Sequence, residues 1–128
     1  MIGITFGAFD PLHYGHIKLI KRAKDRCDQL VVCVSTDDYI KTIKKRTSFM
    51  NEKKRAEMVF SIKYVDTVDF QTVKGKKPLI KKYKPDVIFV GDDWNRKTFS
   101  GEGLGVPVVY LKHTKKINST KIREIINV

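Results

Sequence analysis

Two continuous apolar runs, Leu30-Val31-Val32-Cys33-Val34 and Val87-Ile88-Phe89-Val90, stand out in a chain that is otherwise punctuated by lysines. They are rich in β-branched residues and too short for helices, so they predict strands covered on both faces, as in a parallel sheet. Val108-Val109-Tyr110-Leu111 is a third run of this kind. Residues 2–6 open the chain as a further strand, and a short one is expected over 65–68. Between the runs the period changes. His16/Ile17, Ile20, Ala23 and Cys27 share one stripe, which predicts a helix over 14–27. A helix over 51–62 has Asn51 as its cap and Glu52 in its first turn, where a carboxylate suits the helix dipole. Shorter helices are expected over 37–43 and 78–83, the latter ended before Pro85, and a last one over 119–127 with Ile122, Ile125 and Ile126 inward. Strands alternating with helices give an α/β fold with a doubly wound parallel sheet.

The 128 residues suit one domain, and no linker, repeat or low-complexity segment divides them. The start reads as a strand and not as a basic flank before a long apolar stretch, so neither a signal peptide nor a membrane span is expected, and a cytoplasmic, soluble protein follows. Cys27 and Cys33 lie in apolar segments without metal-ligand spacing and read as reduced core thiols. The formal charge of +12 admits two partners, nucleic acid or highly phosphorylated small molecules. Lys18, Lys21, Lys24, Lys81, Lys82 and Lys84 fall on solvent-facing turns, and the aromatics among the basic residues (Tyr39, Tyr64, Tyr83) are too sparse for a stacking platform.

Candidate chemistry gathers where the first strand meets its helix, Ile4-Thr5-Phe6-Gly7-Ala8-Phe9-Asp10-Pro11-Leu12-His13-Tyr14-Gly15-His16. Three residues apart, His13 and His16 share a helix face beside unpaired backbone N–H groups, which makes an anion site with two imidazole donors. That site lies at the carboxyl edge of the strands, where open α/β sheets bind ligands. Ser119, Thr120, Lys121 and Arg123 open the last helix, where basic residues oppose the dipole unless a polyphosphate is bound. Hydroxyls at Ser119 and Thr120 can equally cap the helix alone. Gly91-Asp92-Asp93-Trp94 follows a buried strand onto the same edge, and Lys44-Lys45-Arg46 follows the second strand, with Lys44 the favoured phosphate contact. The glycine-rich stretch 92–107 reads as a lid.

Gly7-x-Phe9-Asp10-x-x-His13-x-Gly15-His16 resembles the signature of the HxGH nucleotidyltransferase superfamily, most closely its cytidylyltransferases of the glycerol 3-phosphate type. Ser35-Thr36-Asp37, Asn51-Glu52-x-x-Arg55, Lys63-Tyr64-Val65-Asp66, Gly91-Asp92-Asp93-Trp94 and Ser119-Thr120-Lys121-Ile122-Arg123 extend the resemblance over nearly the whole chain. It implies a single-domain Rossmann-like fold and transfer of CMP from CTP to a small phosphorylated substrate, with Mg²⁺ arriving on the triphosphate and no separate metal cage. His13, His16 and Lys44 are then catalytic. Phe6, Gly7, Ala8, Phe9, His16, Asp93, His113, Ser119, Thr120 and Arg123 contact the nucleotide, and Asp10, Arg55 and Lys63 the acceptor. A homodimer around Lys63-Tyr64-Val65-Asp66, without nucleic acid or membrane partners, is also implied. Two family arginines are replaced here, by Lys63 and His113, and Lys115 and Lys116 stand where the family has an acid and a glycine. Adenylyl transfer to a flavin or sugar phosphate, cytidylyl transfer to phosphocholine or phosphoethanolamine, and a basic nucleic-acid-binding domain remain the alternatives.

Overall fold

A computed structural model describes residues 1–91, 103–112 and 119–126. Among them the chain runs β1 (Ile2–Gly7), α1 (Tyr14–Lys24), β2 (Gln29–Ser35), α2 (Asp37–Ile43), α3 (Glu52–Phe60), β3 (Thr67–Gln71), α4 (Lys77–Tyr83), β4 (Val87–Gly91), β5 (Val108–Leu111) and α5 (Ser119–Ile126). The five strands form one sheet in the order β3-β2-β1-β4-β5, with every pairing parallel. The order reverses between β1 and β4, and the carboxyl ends beside that reversal are where such a sheet leaves a crevice. This is the expected Rossmann-like architecture. No described helix is long and apolar enough to cross a membrane.

Two cores lie on opposite faces of the sheet. On one, Ile20 and Ala23 of α1 and Val59 of α3 pack on Leu30, Val32, Val34 and Phe89. On the other, Leu79 of α4 packs on Ile4, Val31, Cys33, Ile88 and Val90, with Leu104 and Val106 against its edge. The two faces explain why β2 and β4 are apolar without alternation. Helix ends follow their caps. Asn51 Oδ1 accepts from the Lys54 N–H at 2.9 Å, and Thr36 Oγ1 accepts from the Tyr39 N–H at 3.0 Å. Lys84 closes α4 in the left-handed conformation (φ 47°) before Pro85.

Two expected boundaries move. Helix α1 stops at Lys24, because the chain must turn at Asp25 for Asp28 and Gln29 to donate to the Met1 carbonyl as β2 begins. Strand β3 runs from Thr67 to Gln71 rather than over 65–68, since its pattern is alternating: Val68 and Phe70 pack inward while Asp69 and Gln71 face α4. Asp69 is tolerated there because it accepts from Lys82 Nζ at 2.9 Å, the Tyr83 hydroxyl at 2.5 Å and the Phe70 N–H at 2.6 Å.

Candidate active site

Strand β1 ends at Gly7, where an added Cβ would lie 2.8 Å from the Phe9 ring. Glycine lets that ring fold back into the core, and Phe9 itself takes a left-handed backbone (φ 53°) that reverses the chain. The turn delivers His13 as the cap of α1, with extended backbone (φ −143°, ψ 176°). Its N–H donates to His16 Nδ1 at 3.2 Å. The two imidazoles stack with centroids 3.8 Å apart, and the Phe9 ring meets His16 edge-on at 5.0 Å. Because Nδ1 of His16 accepts, the neutral ring carries its proton on Nε2. Burial, and then the neighbouring His13, push the His16 pKa down to about 3; burial also lowers that of His13. His16 therefore offers an uncharged N–H donor throughout the physiological range. The Nδ1 atom of His13 is buried without a hydrogen-bond partner.

Around the histidines runs a rigid frame. The Asp10 side chain is fully buried; its carboxylate accepts from Arg46 Nη1 at 2.8 Å and from the N–H groups of Phe49 and Met50 at 2.8 and 2.9 Å. Burial alone would raise its pKa, but Arg46 and the two amides outweigh it and hold the carboxyl below the ordinary value. Arg55 is 0 % exposed. Its guanidinium donates to the carbonyls of Met50 (2.9 Å), Ala8 (2.8 Å) and Ser35 (2.6 Å) and to the Asp37 carboxylate (2.7 Å). These bonds correct two expectations. Asp10 and Arg55 have no surface for an acceptor phosphate and instead pin the β1 exit, the end of β2 and the 46–50 loop together. Lys63 is a third correction: it precedes β3, at the amino edge of the sheet, with its ammonium 5.3 Å from the centre of the half-buried Tyr64 ring.

The carboxyl edge instead collects other cations. Lys76, before α4, is 9 % exposed and holds its Nζ 5.1 Å above the Phe6 ring. Burial and the charge of Lys44 push its pKa down to about 8. Lys44 is itself lowered, by burial and then by Arg46 and Arg123. Four basic side chains thus face one another across the ends of β1, β2 and β3. Mutual repulsion of this kind is relieved by a bound polyanion. The start of α5 is tied to the same place: Ser119 Oγ donates to the Pro11 carbonyl at 3.0 Å, and Arg123 Nη1 to the Asp10 carbonyl at 2.6 Å.

The structure therefore brings together Phe6, Gly7, Ala8, Phe9, His13, His16, Lys44, Ser119 and Arg123 of the expected set, with Phe9 contributing backbone because its ring is in the core. Thr120 lies in the first turn of α5. Asp93 and His113, and residues 92–102 of the expected lid, lie outside the described residues. Sequence reasoning missed Lys76. Its signal was a lysine just after a glycine turn that follows a strand, hence at the carboxyl edge. No group of three or more metal-ligating side chains occurs among the described residues.

A parallel sheet with a His-x-Gly-His helix at its reversal point, ringed by cations, is a site for a polyphosphate, as the resemblance to nucleotidyltransferases implies. A family model described as cytidylyltransferase-like matches residues 4–125, and the chain belongs to that family. It is similar to glycerol-3-phosphate cytidylyltransferases of Staphylococcus aureus (39 % identity, 94 % of this chain and 91 % of the relative) and Bacillus subtilis (41 %, 94 % and 93 %). An FAD synthase of Pyrococcus abyssi is 37 % identical over 96 % of this chain and 88 % of its own. Among solved structures, a lipopolysaccharide core biosynthesis protein from Thermoplasma volcanium has a TM-score of 0.75 at 26 % identity, covering 91 % of this chain and 98 % of that one.

Proposed function

We propose that this enzyme transfers CMP from CTP to a small phosphorylated alcohol, with glycerol 3-phosphate the leading acceptor and pyrophosphate the leaving group. The observation that carries the reading is the neutral His13/His16 pair set beside the cluster Lys44, Arg46, Lys76 and Arg123. An oxygen of the acceptor phosphate attacks the α-phosphorus in line, the bond to the bridging oxygen breaks, and pyrophosphate departs. No protein nucleophile is needed. His16 Nε2–H donates to oxygen atoms at the α-phosphate as charge builds there, and the cations hold two anions that otherwise repel each other. The described carboxylates nearest the site, Asp10 and Asp37, are already engaged by arginines, so Mg²⁺ fits as a companion of the triphosphate rather than as a resident of a protein cage. It would neutralise the leaving group.

Adenylyl transfer to flavin mononucleotide is the second reading, supported by the likeness to an FAD synthase. Pyrophosphate release measured with four nucleoside triphosphates against glycerol 3-phosphate, phosphocholine, phosphoethanolamine and flavin mononucleotide decides between them. Product from CTP with glycerol 3-phosphate alone supports the first reading, and product from ATP with the flavin replaces it.

A homodimer belongs to the same proposal. Val65 is buried, so within 63–66 the exposed Lys63 and Asp66 and the half-buried Tyr64 are available to a second copy, Asp66 already bonded to the Leu30 N–H and Lys24. The exposed Phe60 (62 %) and Met58 of α3 adjoin them. Light scattering at tens of micromolar should give the dimer mass, falling to the monomer in Phe60→Asp.

A further inference from the structure

Gln71 ends β3 at the carboxyl edge and is 2 % exposed, yet its side-chain Nε2 is buried with no hydrogen-bond partner. Its backbone is well used, the carbonyl accepting from the Thr36 N–H at 3.0 Å. An unpaired buried amide is costly, and a bound ligand is one way such a group in a folded protein is completed. Strand register shows where the side chain points. Gln71 pairs with Ser35, as Asp69 pairs with Cys33 and Cys33 with Phe6, so all of these lie on the α4 face of the sheet. Asp69 is covered by Lys82 and Tyr83 of α4. Gln71, two residues nearer the carboxyl edge, lies opposite Ser35 at the end of β2, five residues before the Lys76 whose ammonium stands over the Phe6 ring.

We propose that Gln71 selects the acceptor, donating a hydrogen bond from Nε2 to a hydroxyl oxygen of a small polyol phosphate whose phosphate is held by Lys44 and Lys76. This rests on the transfer reaction proposed above. Among cations that match the charge of a phosphate, the amide is a neutral donor, suited to a neutral oxygen. A site that leaves a buried donor unpaired rejects an analogue lacking the hydroxyl far more strongly than an apolar pocket rejects a missing methylene. The class recognised is therefore hydroxylated alkyl phosphates, and plain alkyl phosphates are excluded.

The test compares glycerol 3-phosphate with propyl phosphate, which has the same carbon count and phosphate but no hydroxyl. Calorimetry measures the binding of each, and of CTP, to the wild type, Gln71→Leu and Gln71→Met. The wild type is expected to favour glycerol 3-phosphate by about tenfold or more. In both variants that preference should shrink to about twofold or less, through weaker glycerol 3-phosphate binding alone, with CTP and propyl phosphate unchanged. Both variants should melt no lower than the wild type, since they remove an unpaired buried polar group. Retention of the preference in either folded variant, equal weakening of both phosphates, or a wild type that binds the two alike overturns the assignment. Absence of pyrophosphate release with every nucleotide and acceptor overturns the transfer reading instead, and the binding ratio still judges Gln71.

Discussion

At the scale of single residues, His16 couples catalysis to acid stability. Its imidazole stays neutral in the fold down to about pH 3 but takes up a proton in the unfolded chain near 6.5. The unfolded state therefore binds more protons between those values, so stability is full above about 6.5 and declines as the pH falls toward 3. One such group contributes a slope of about 1.4 kcal/mol per pH unit. Urea unfolding at pH 6.0, 5.5, 5.0 and 4.5, chosen as rough sampling points above the carboxylate range, should show that slope reduced by about one proton in His16→Gln. On turnover, His16→Ala should lower kcat by roughly 10²–10⁴ with little change in the KM for CTP, because the lost donor acts mainly in the transition state. Near wild-type turnover would falsify the role. Lys76 has the opposite sign. Its charge is lost as the pH rises through about 8, so the affinity for an anionic acceptor should fall there, and Lys76→Met should bind weakly and evenly across that range.

At the scale of elements, Arg55 joins α3 to the exits of β1 and β2 through four acceptors and is wholly enclosed. Arg55→Met should cost about 3–5 kcal/mol in denaturant unfolding, because it strands buried carbonyls and the Asp37 carboxylate at once. Gly3→Ala on β1 should also destabilise, by roughly 1–3 kcal/mol, as the new Cβ would meet the buried Phe89 ring of β4 at 2.4 Å. The strands and helices were legible because their periods are strong and their caps conventional. What the sequence hid was direction. An arginine and an aspartate in motifs that suggest phosphate contacts face inward here, since the partners that neutralise Arg55 and Asp10 come from segments 18 to 47 residues away. Lys63 was misplaced for a related reason: a motif fixes residue types, whereas the edge of the sheet they occupy depends on where β3 begins. Gln71 carries no local pattern, and only the register of β3 against β2 puts it beside Ser35; the glycine turn before Lys76 marks the sheet edge it occupies, whereas its place over the Phe6 ring comes from the fold alone.

For the whole molecule, the charge of +12 and the cluster at the carboxyl edge predict strong attraction for polyanions. CTP with Mg²⁺ should raise Tm more than ATP or a short DNA duplex at equal concentration and salt, and stronger stabilisation by ATP would favour the adenylyl reading. The KM for the nucleotide should rise with ionic strength, the signature of steering by fixed charge. Cys33 supplies a further handle on the same equilibrium. Fully buried on β2, with burial holding its thiol well above the ordinary range, it is shielded from alkylating reagents as long as the sheet is closed. Cys27, half-buried just beyond α1, packs at the margin of the core against Gly3 of β1. The pair makes a two-channel reporter of opening: Cys27 should label through local fraying, and Cys33 only when the whole sheet comes apart. Saturating nucleotide should slow labelling of Cys33 by the factor by which it stabilises the fold while leaving Cys27 nearly unchanged, so mass spectrometry of a single alkylated sample would read ligand affinity without a label, a probe or a turnover assay.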